Sequence, residues 1–121
     1  MKNKPFEMCM LYDFYGEILT AKQKELFDLY YNDDLSLAEI SEHMGITRQG
    51  VRDGIMRAER ALRDTEEKLG LVAKYGQTQS DIERLASIVW ELRGINNTRY
   101  HDPKIAELCE EAFHIAKQLS E

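Results

Sequence analysis

The sequence predicts an all-α fold, a helix-turn-helix core of winged-helix-like or sigma region-4-like form followed by two additional carboxy-terminal helices. Three observations carry that prediction. Apolar residues recur at helical spacing along the chain, without the alternation expected of half-buried strands. Capping-box patterns at Thr20, Ser36 and Ser80 mark helix starts, because each hydroxyl stands three residues ahead of a glutamine or glutamate. The stretch "SLAEISEHMGITRQGVRDGIMRAER", Ser36 to Arg60, sets a short helix and a longer one on either side of Gly45.

Taken in order, Leu11, Phe14, Tyr15 and Ile18 share one stripe and predict a first helix over Phe6 to Leu19. Thr20 and Gln23 open a second, which runs to about Tyr31 and buries Leu26, Phe27 and Tyr30. "NDD" at 32 to 34 is a polar turn, after which Ser36 and Glu39 begin a short third helix with Leu37, Ile40 and Met44 as its apolar face. Gly45 stands where a helix commonly ends in a left-handed residue, since a residue without Cβ meets no steric penalty there. Thr47 is the next N-cap, and Val51, Ile55, Ala58 and Leu62, continued by Leu69, form the stripe of a long fourth helix.

Gly70 and the polar "KYGQTQSD", Lys74 to Asp81, read as a hinge or linker ahead of the Ser80 and Glu83 box. That places the one subdivision: residues 1–72 as the helix-turn-helix domain, and residues 73–121 as a helical extension packing on it or on a second subunit. The fifth helix carries Ile82, Leu85, Ala86, Val89 and Trp90 and ends near Gly94, leaving "GINNTRYHDP" as a loop. Asp102 caps the sixth, Pro103 fits its first position where no backbone donor is needed, and Ile105, Leu108, Ala112, Ile115 and Leu119 form its buried stripe.

A chain of 121 residues is one domain's worth, and its 16 basic against 22 acidic residues leave a net charge of −6, unlike most phosphate binders. The average conceals a patch. Between Thr47 and Arg63 five arginines face only Asp53 and Glu59, so this segment is +3 and the remainder −9. There is no run of 18 apolar residues, and "MKNKPFEMCMLYDF" is crossed by Glu7 and Asp13, so neither a membrane span nor a signal peptide is expected and the location is read as cytoplasmic. Cys9 and Cys109 lie in apolar helical patterns without CxxC or Cys-His spacing, which predicts buried thiols with no disulfide, metal or cofactor.

On a helical wheel with Val51 at zero, Ile55, Ala58 and Leu62 fall within about 40°, Gln49, Asp53 and Arg60 project nearly opposite, and Arg52, Arg57 and Arg63 flank them. The candidate nucleic-acid-binding residues are therefore Thr47, Arg48, Gln49, Arg52, Arg57 and Arg60. A guanidinium fork pairs with phosphate oxygens or a guanine edge, and a glutamine amide with an adenine edge. Gly50 and Gly54 each cost about 1 kcal/mol relative to alanine inside a helix, which predicts either a mobile start or a close approach by a partner that needs the missing Cβ.

An enzyme is not expected, because His43, His101 and His114 are scattered without ligand or nucleophile spacing and no phosphate-cradling glycine loop occurs. A structural interaction module is the other alternative, with Tyr12, Tyr15, Tyr30, Tyr31 and Trp90 as a protein-facing surface. Apolar stripes continuing past Leu62 and along the sixth helix exceed the needs of three helices, and predict a homodimer joined through the carboxy-terminal helices.

The signatures "DFY", "LT.KQ", "YY.DDLSL.EI" and "SRQ.V.D.I.R.E" occur here as Asp13 to Tyr15, Leu19 to Gln23, Tyr30 to Ile40 and Thr47 to Glu59, with threonine for serine at 47. Through them the stretch from Tyr12 to Leu71 resembles the YlxM family of bacterial helix-turn-helix proteins. It departs at Gly50 and Gly54, where that family usually has alanine and asparagine. The shorter "SLAEISEHMGITRQGVR" also resembles the promoter-reading region of bacterial sigma factors, which implies duplex DNA as ligand. The YlxM resemblance implies an accessory or regulatory role in the signal recognition particle pathway, with the particle's RNA and its GTPase as partners.

Overall fold

A computed structural model describes residues 6–121, which contain six α-helices and no strand, so no β-hairpin wing occurs among them. Met1 to Pro5 lie outside the described residues, and with them the beginning of the stretch read against a signal peptide. The chain divides into two compact units, one reaching to Val72 and the other running from Ala73 to Glu121.

In the first unit, α1 (Phe6–Tyr15) stops short of the expected Leu19, because the chain tightens into a 3-10 turn over Gly16–Ile18 and extends at Leu19. α2 (Ala21–Phe27) starts on a reciprocal cap: the Thr20 hydroxyl accepts the Gln23 amide at 3.1 Å, and the Gln23 side chain accepts that of Thr20 at 2.9 Å. It widens into a π-helical turn over Asp28–Asn32. α3 (Leu37–Met44) repeats the reciprocal cap between Ser36 and Glu39, at 3.0 and 2.8 Å, and ends on Gly45 at φ 69°. α4 (Arg48–Leu69) starts on Thr47, whose hydroxyl accepts the Gly50 amide at 3.0 Å, and ends on Gly70 at φ 65°.

The four helices enclose two adjoining apolar clusters, one of Met8, Leu11, Tyr15, Leu19, Phe27, Ala58 and Leu62, the other of Leu26, Ile40, Val51 and Ile55. α4 serves both from a single stripe, which is what holds its opposite face outward. Tyr12 stacks on Phe27 at 4.4 Å between ring centroids and Tyr31 on its other side at 4.3 Å, so these aromatics work inside the unit.

α5 (Leu71–Ile95) follows α4 at once, and side chains from elsewhere satisfy its first amides. The Tyr15 hydroxyl accepts the Leu71 N–H at 3.1 Å, and the Glu66 carboxylate accepts both the Val72 N–H at 3.0 Å and the Tyr15 O–H at 2.5 Å.

Three sequence expectations fail in the second unit. Lys74 to Asp81 is helix, not linker, and Ser80 lies inside α5 instead of capping a new one. Polarity there marks an exposed helix surface, braced by the Gln77 amide donating to Asp81 one turn on at 2.9 Å. Nor does the helix end at Gly94. It continues through a π-helical turn over Asn96–Tyr100 and stops at His101 in the left-handed region, φ 51°. Buried Asn96 fixes that corner, accepting the Asp102 N–H at 2.9 Å and donating to the Asp102 carbonyl at 3.0 Å.

α6 (Pro103–Ser120) is capped by the Asp102 carboxylate, which accepts the Lys104 and Ile105 amides. Its expected buried stripe is not buried: Ile105, Leu108, Ile115 and Leu119 are exposed, and Cys109 turns inward in their place. Trp90, which the sequence sets in the apolar pattern of α5 and also on a candidate protein-facing surface, is exposed, lying edge-on to Phe113. Both cysteines are free thiols, and no helix among the described residues is long and apolar enough to cross a membrane.

Candidate nucleic-acid interface

The turn between α3 and α4 is held by backbone and side chain together. Gly45 and Ile46 donate their amides to the Ser41 carbonyl at 3.0 and 3.3 Å, and the Ser41 hydroxyl donates back to the Ile46 carbonyl. Ile46 then packs with Met44 and Leu37 against the second cluster. The short helix, the left-handed glycine and the long helix thus form one rigid corner, and α4, about 33 Å long, lies across the unit with half its circumference free.

Arg48, Arg52, Arg57, Arg60 and Arg63 are all exposed. The first four have no hydrogen-bond or ion-pair partner among the described residues. The nearby acids are engaged instead. Glu59 is partly buried and accepts a hydrogen bond from the Tyr31 hydroxyl, and Asp53 accepts one from the Gln49 amide at 3.0 Å. Burial first, and then the Glu59 carboxylate, pushes the Tyr31 phenol well above its ordinary value near 10, with Arg63 opposing the shift. That phenol stays a neutral donor.

The predicted residues do not form one cluster. Arg57, Arg60 and Arg63 line a surface cavity of 400 Å³ with Met56, Asp53 and Glu59. Arg52 lies on another flank, beside Tyr30, Leu37 and Met56. Thr47 is occupied as the N-cap of α4, and Gln49 has its amide turned along the helix to Asp53. Arg57 also borders a groove of 490 Å³ between α2 and α4, whose other walls include Lys22, Gln23, Gly50 and Gly54. Lys22 was not singled out from the sequence, since only the fold brings α2 beside α4. Its place in the "LT.KQ" signature was the available signal.

Gly54 meets a neighbour within the protein. A Cβ there would stand 2.4 Å from Cδ1 of Leu26, so α2 and α4 touch at this point because the side chain is missing. Gly50, one turn earlier, has only the Thr47 hydroxyl within 3.2 Å and Ile46 at 3.8 Å.

An all-α unit with a capped short helix, a left-handed glycine and a long helix bared on its outer side defines a helix-turn-helix protein. The family model described as "Putative helix-turn-helix protein, YlxM / p13 like", UPF0122, matches residues 2–98, and the chain belongs to that family. It is 43% identical over 114 residues to a UPF0122 protein of Thermoanaerobacter sp. strain X514, covering 94% of this chain and 92% of that protein. A UPF0122 protein of Caldanaerobacter subterraneus is 51% identical over 82 residues, 68% of this chain and 70% of the relative. One from Geobacillus kaustophilus is 47% identical over 89 residues, 74% and 81% of the two chains.

Proposed function

We propose that this protein is a nucleic-acid-binding accessory or regulatory component of the bacterial signal recognition particle pathway, acting in the cytoplasm and gripping a phosphate backbone with the outer arginines of α4. The observation that carries the reading is the set of exposed guanidinium groups at Arg48, Arg52, Arg57 and Arg60, which no internal carboxylate neutralises. An acidic chain that keeps such groups unpaired on one helix presents a local attraction for polyanions that its net charge hides. The family's helix-turn-helix description supports nucleic acid as the ligand, and the YlxM resemblance supports the particle's RNA, with its GTPase as protein partner. In this reading the protein acts as a homodimer joined through its carboxy-terminal helices, and catalyses no reaction.

The Gln49 amide bound to Asp53 favours backbone tracking over base reading, since the group suited to an adenine edge is already engaged. Backbone tracking also suits A-form RNA, whose major groove is too narrow for side chains to read. Binding to particle RNA and to a short duplex DNA, measured across a salt series, tests the proposal. Particle RNA is expected to bind, with Arg52→Ala and Arg57→Ala each weakening affinity and flattening the logarithmic salt slope by about 0.7 to 0.9. Unchanged affinity in Arg48→Ala, Arg52→Ala, Arg57→Ala and Arg60→Ala alike overturns the arginine interface. Preference for particular duplex sequences over the RNA supports the sigma-like transcriptional reading instead.

A further inference from the structure

The unit from Ala73 to Glu121 is a helical hairpin whose only buried residues are Ile82, Asn96 and Cys109. Two helices of this length need more core than that. The missing core is on the surface. On α5, Leu85, Ile88, Leu92 and Ile95 follow one another at spacings of three, four and three residues. On α6, Ile105, Leu108, Ala112, Ile115 and Leu119 follow at three, four, three and four. This is the heptad spacing by which one helix lays a seam against another. The line through Ile82, Val89 and Asn96 on α5 stands about 80° from the first seam, and Cys109 on α6 about as far from the second. Each helix therefore has two apolar lines, one turned into the hairpin and one left bare.

The two bare seams share a side of the hairpin. Leu92 and Ile95 from α5 and Ile105, Leu108 and Ala112 from α6 line one apolar groove of 460 Å³, together with Tyr100 and with Val89, Asn96 and Cys109 of the inner lines. The eight large aliphatic residues of the seams are each 38–60% exposed. With Tyr100 they present on the order of 700 Å² of apolar surface, taking about 150 to 200 Å² for a large side chain in the open. That is close to the roughly 800 Å² each partner gives to a stable interface, and larger than the patches single chains ordinarily leave in water.

We infer that this face is where two copies of the chain join, hairpin against hairpin, as an antiparallel four-helix bundle. The inference rests on the homodimer reading and names its surface. A second copy fits because the face is matched to itself. Four seams of one spacing, two from each hairpin, are what a four-helix core requires, and a two-fold axis sets the same patch against itself. The rims agree. Just outside the seams stand Arg84 and Glu91 on α5, and Lys104 and Glu111 on α6, one cation and one anion on each helix. An antiparallel copy can therefore meet this rim without a run of like charges.

Sedimentation equilibrium of the full chain over a concentration series is the test, with Leu92→Ala and Leu108→Ala as seam variants and Ser87→Ala, on the far side of α5, as control. Alanine is the strongest helix former, so far-UV dichroism should keep its helical signal while the seam loses bulk. The expected result is a particle of about twice 14.1 kDa whose dissociation constant rises about tenfold or more with each seam variant and is unmoved by the control. The milder Ile88→Val should shift it in the same direction without threatening the fold. A chain that is monomeric at every concentration overturns the homodimer reading and this surface with it. A dimer indifferent to all three seam variants overturns the surface alone. A monomer that binds another protein through the seam shows the occupant to be a different chain and overturns the proposal.

Discussion

The contact at Gly54 makes opposite predictions for two glycines on one helix. Alanine in place of glycine inside a helix gains about 1 kcal/mol, from backbone entropy and protection of the backbone from water. At Gly50 the added methyl meets only the capping hydroxyl at 3.2 Å, and Gly50→Ala should keep most of that gain. At Gly54 it would stand 2.4 Å from Cδ1 of Leu26, about 1 Å inside ordinary contact, against a side chain only 1% exposed. Forcing a methyl into packed surroundings costs about 1 to 3 kcal/mol, so Gly54→Ala should come out level or destabilised by up to about 2 kcal/mol. The separation between the two variants, about 1 to 3 kcal/mol, isolates the helix contact from the propensity they share. Urea unfolding followed by far-UV dichroism measures it. In the pair Gly54→Ala with Leu26→Val, the double variant should be less destabilised than the sum of the singles. Equal stabilisation by both alanines would refute the close approach of α2 and α4.

Two further outcomes follow from polar groups. Tyr12, Tyr15 and Tyr31 are all held above their ordinary phenol range, in each case first by burial; Tyr31 and Tyr15 are raised further by hydrogen bonds to Glu59 and Glu66. A raised folded value means that the stabilisation is whole below about pH 10, where unfolded tyrosine begins to ionise, and is lost as pH climbs toward the folded value. Urea midpoints should thus hold steady to about pH 9 and fall beyond 10, with Tyr31→Phe showing the shallower fall; a midpoint constant to pH 11 would sink this. Asn96→Ala should destabilise the hairpin by about 1 to 3 kcal/mol, since it strands the Asp102 amide at a buried corner. Trp90, the chain's single tryptophan, reports that unfolding by fluorescence, and an unmoved transition counts against it.

The helix-turn-helix core was legible because its signals are local. A hydroxyl three residues before an acceptor, as at Ser36 and Glu39, acts through its own first turn, and Gly45 ends a helix by its own backbone. The stripe from Val51 to Leu62 needed only periodicity. What the sequence concealed depends on distant partners. Lys74 to Asp81 passed for a linker because an exposed helix has no apolar line to announce it. The stripe of α6 was rightly placed on one face, but periodicity says which residues share a side and not whether anything in the same chain covers them. Similarly, the arginines were readable as outward-facing, while the engagement of Asp53 by Gln49, the hold of Tyr31 on Glu59 and the arrival of Lys22 beside Arg57 required the fold.

The hydrogen bonds of Tyr15 tie residue 15 to positions 51 and 56 places further along, at Glu66 and Leu71. During synthesis α1 leaves the ribosome ahead of α2 to α4, yet its anchor does not exist until 56 further residues have followed. Until α4 is complete, the apolar faces of Met8 and Leu11 lack the Ala58 and Leu62 side of their cluster. Translation speed through the codons for α2 to α4 consequently governs how long a nascent chain offers those faces to chaperones or to aggregation.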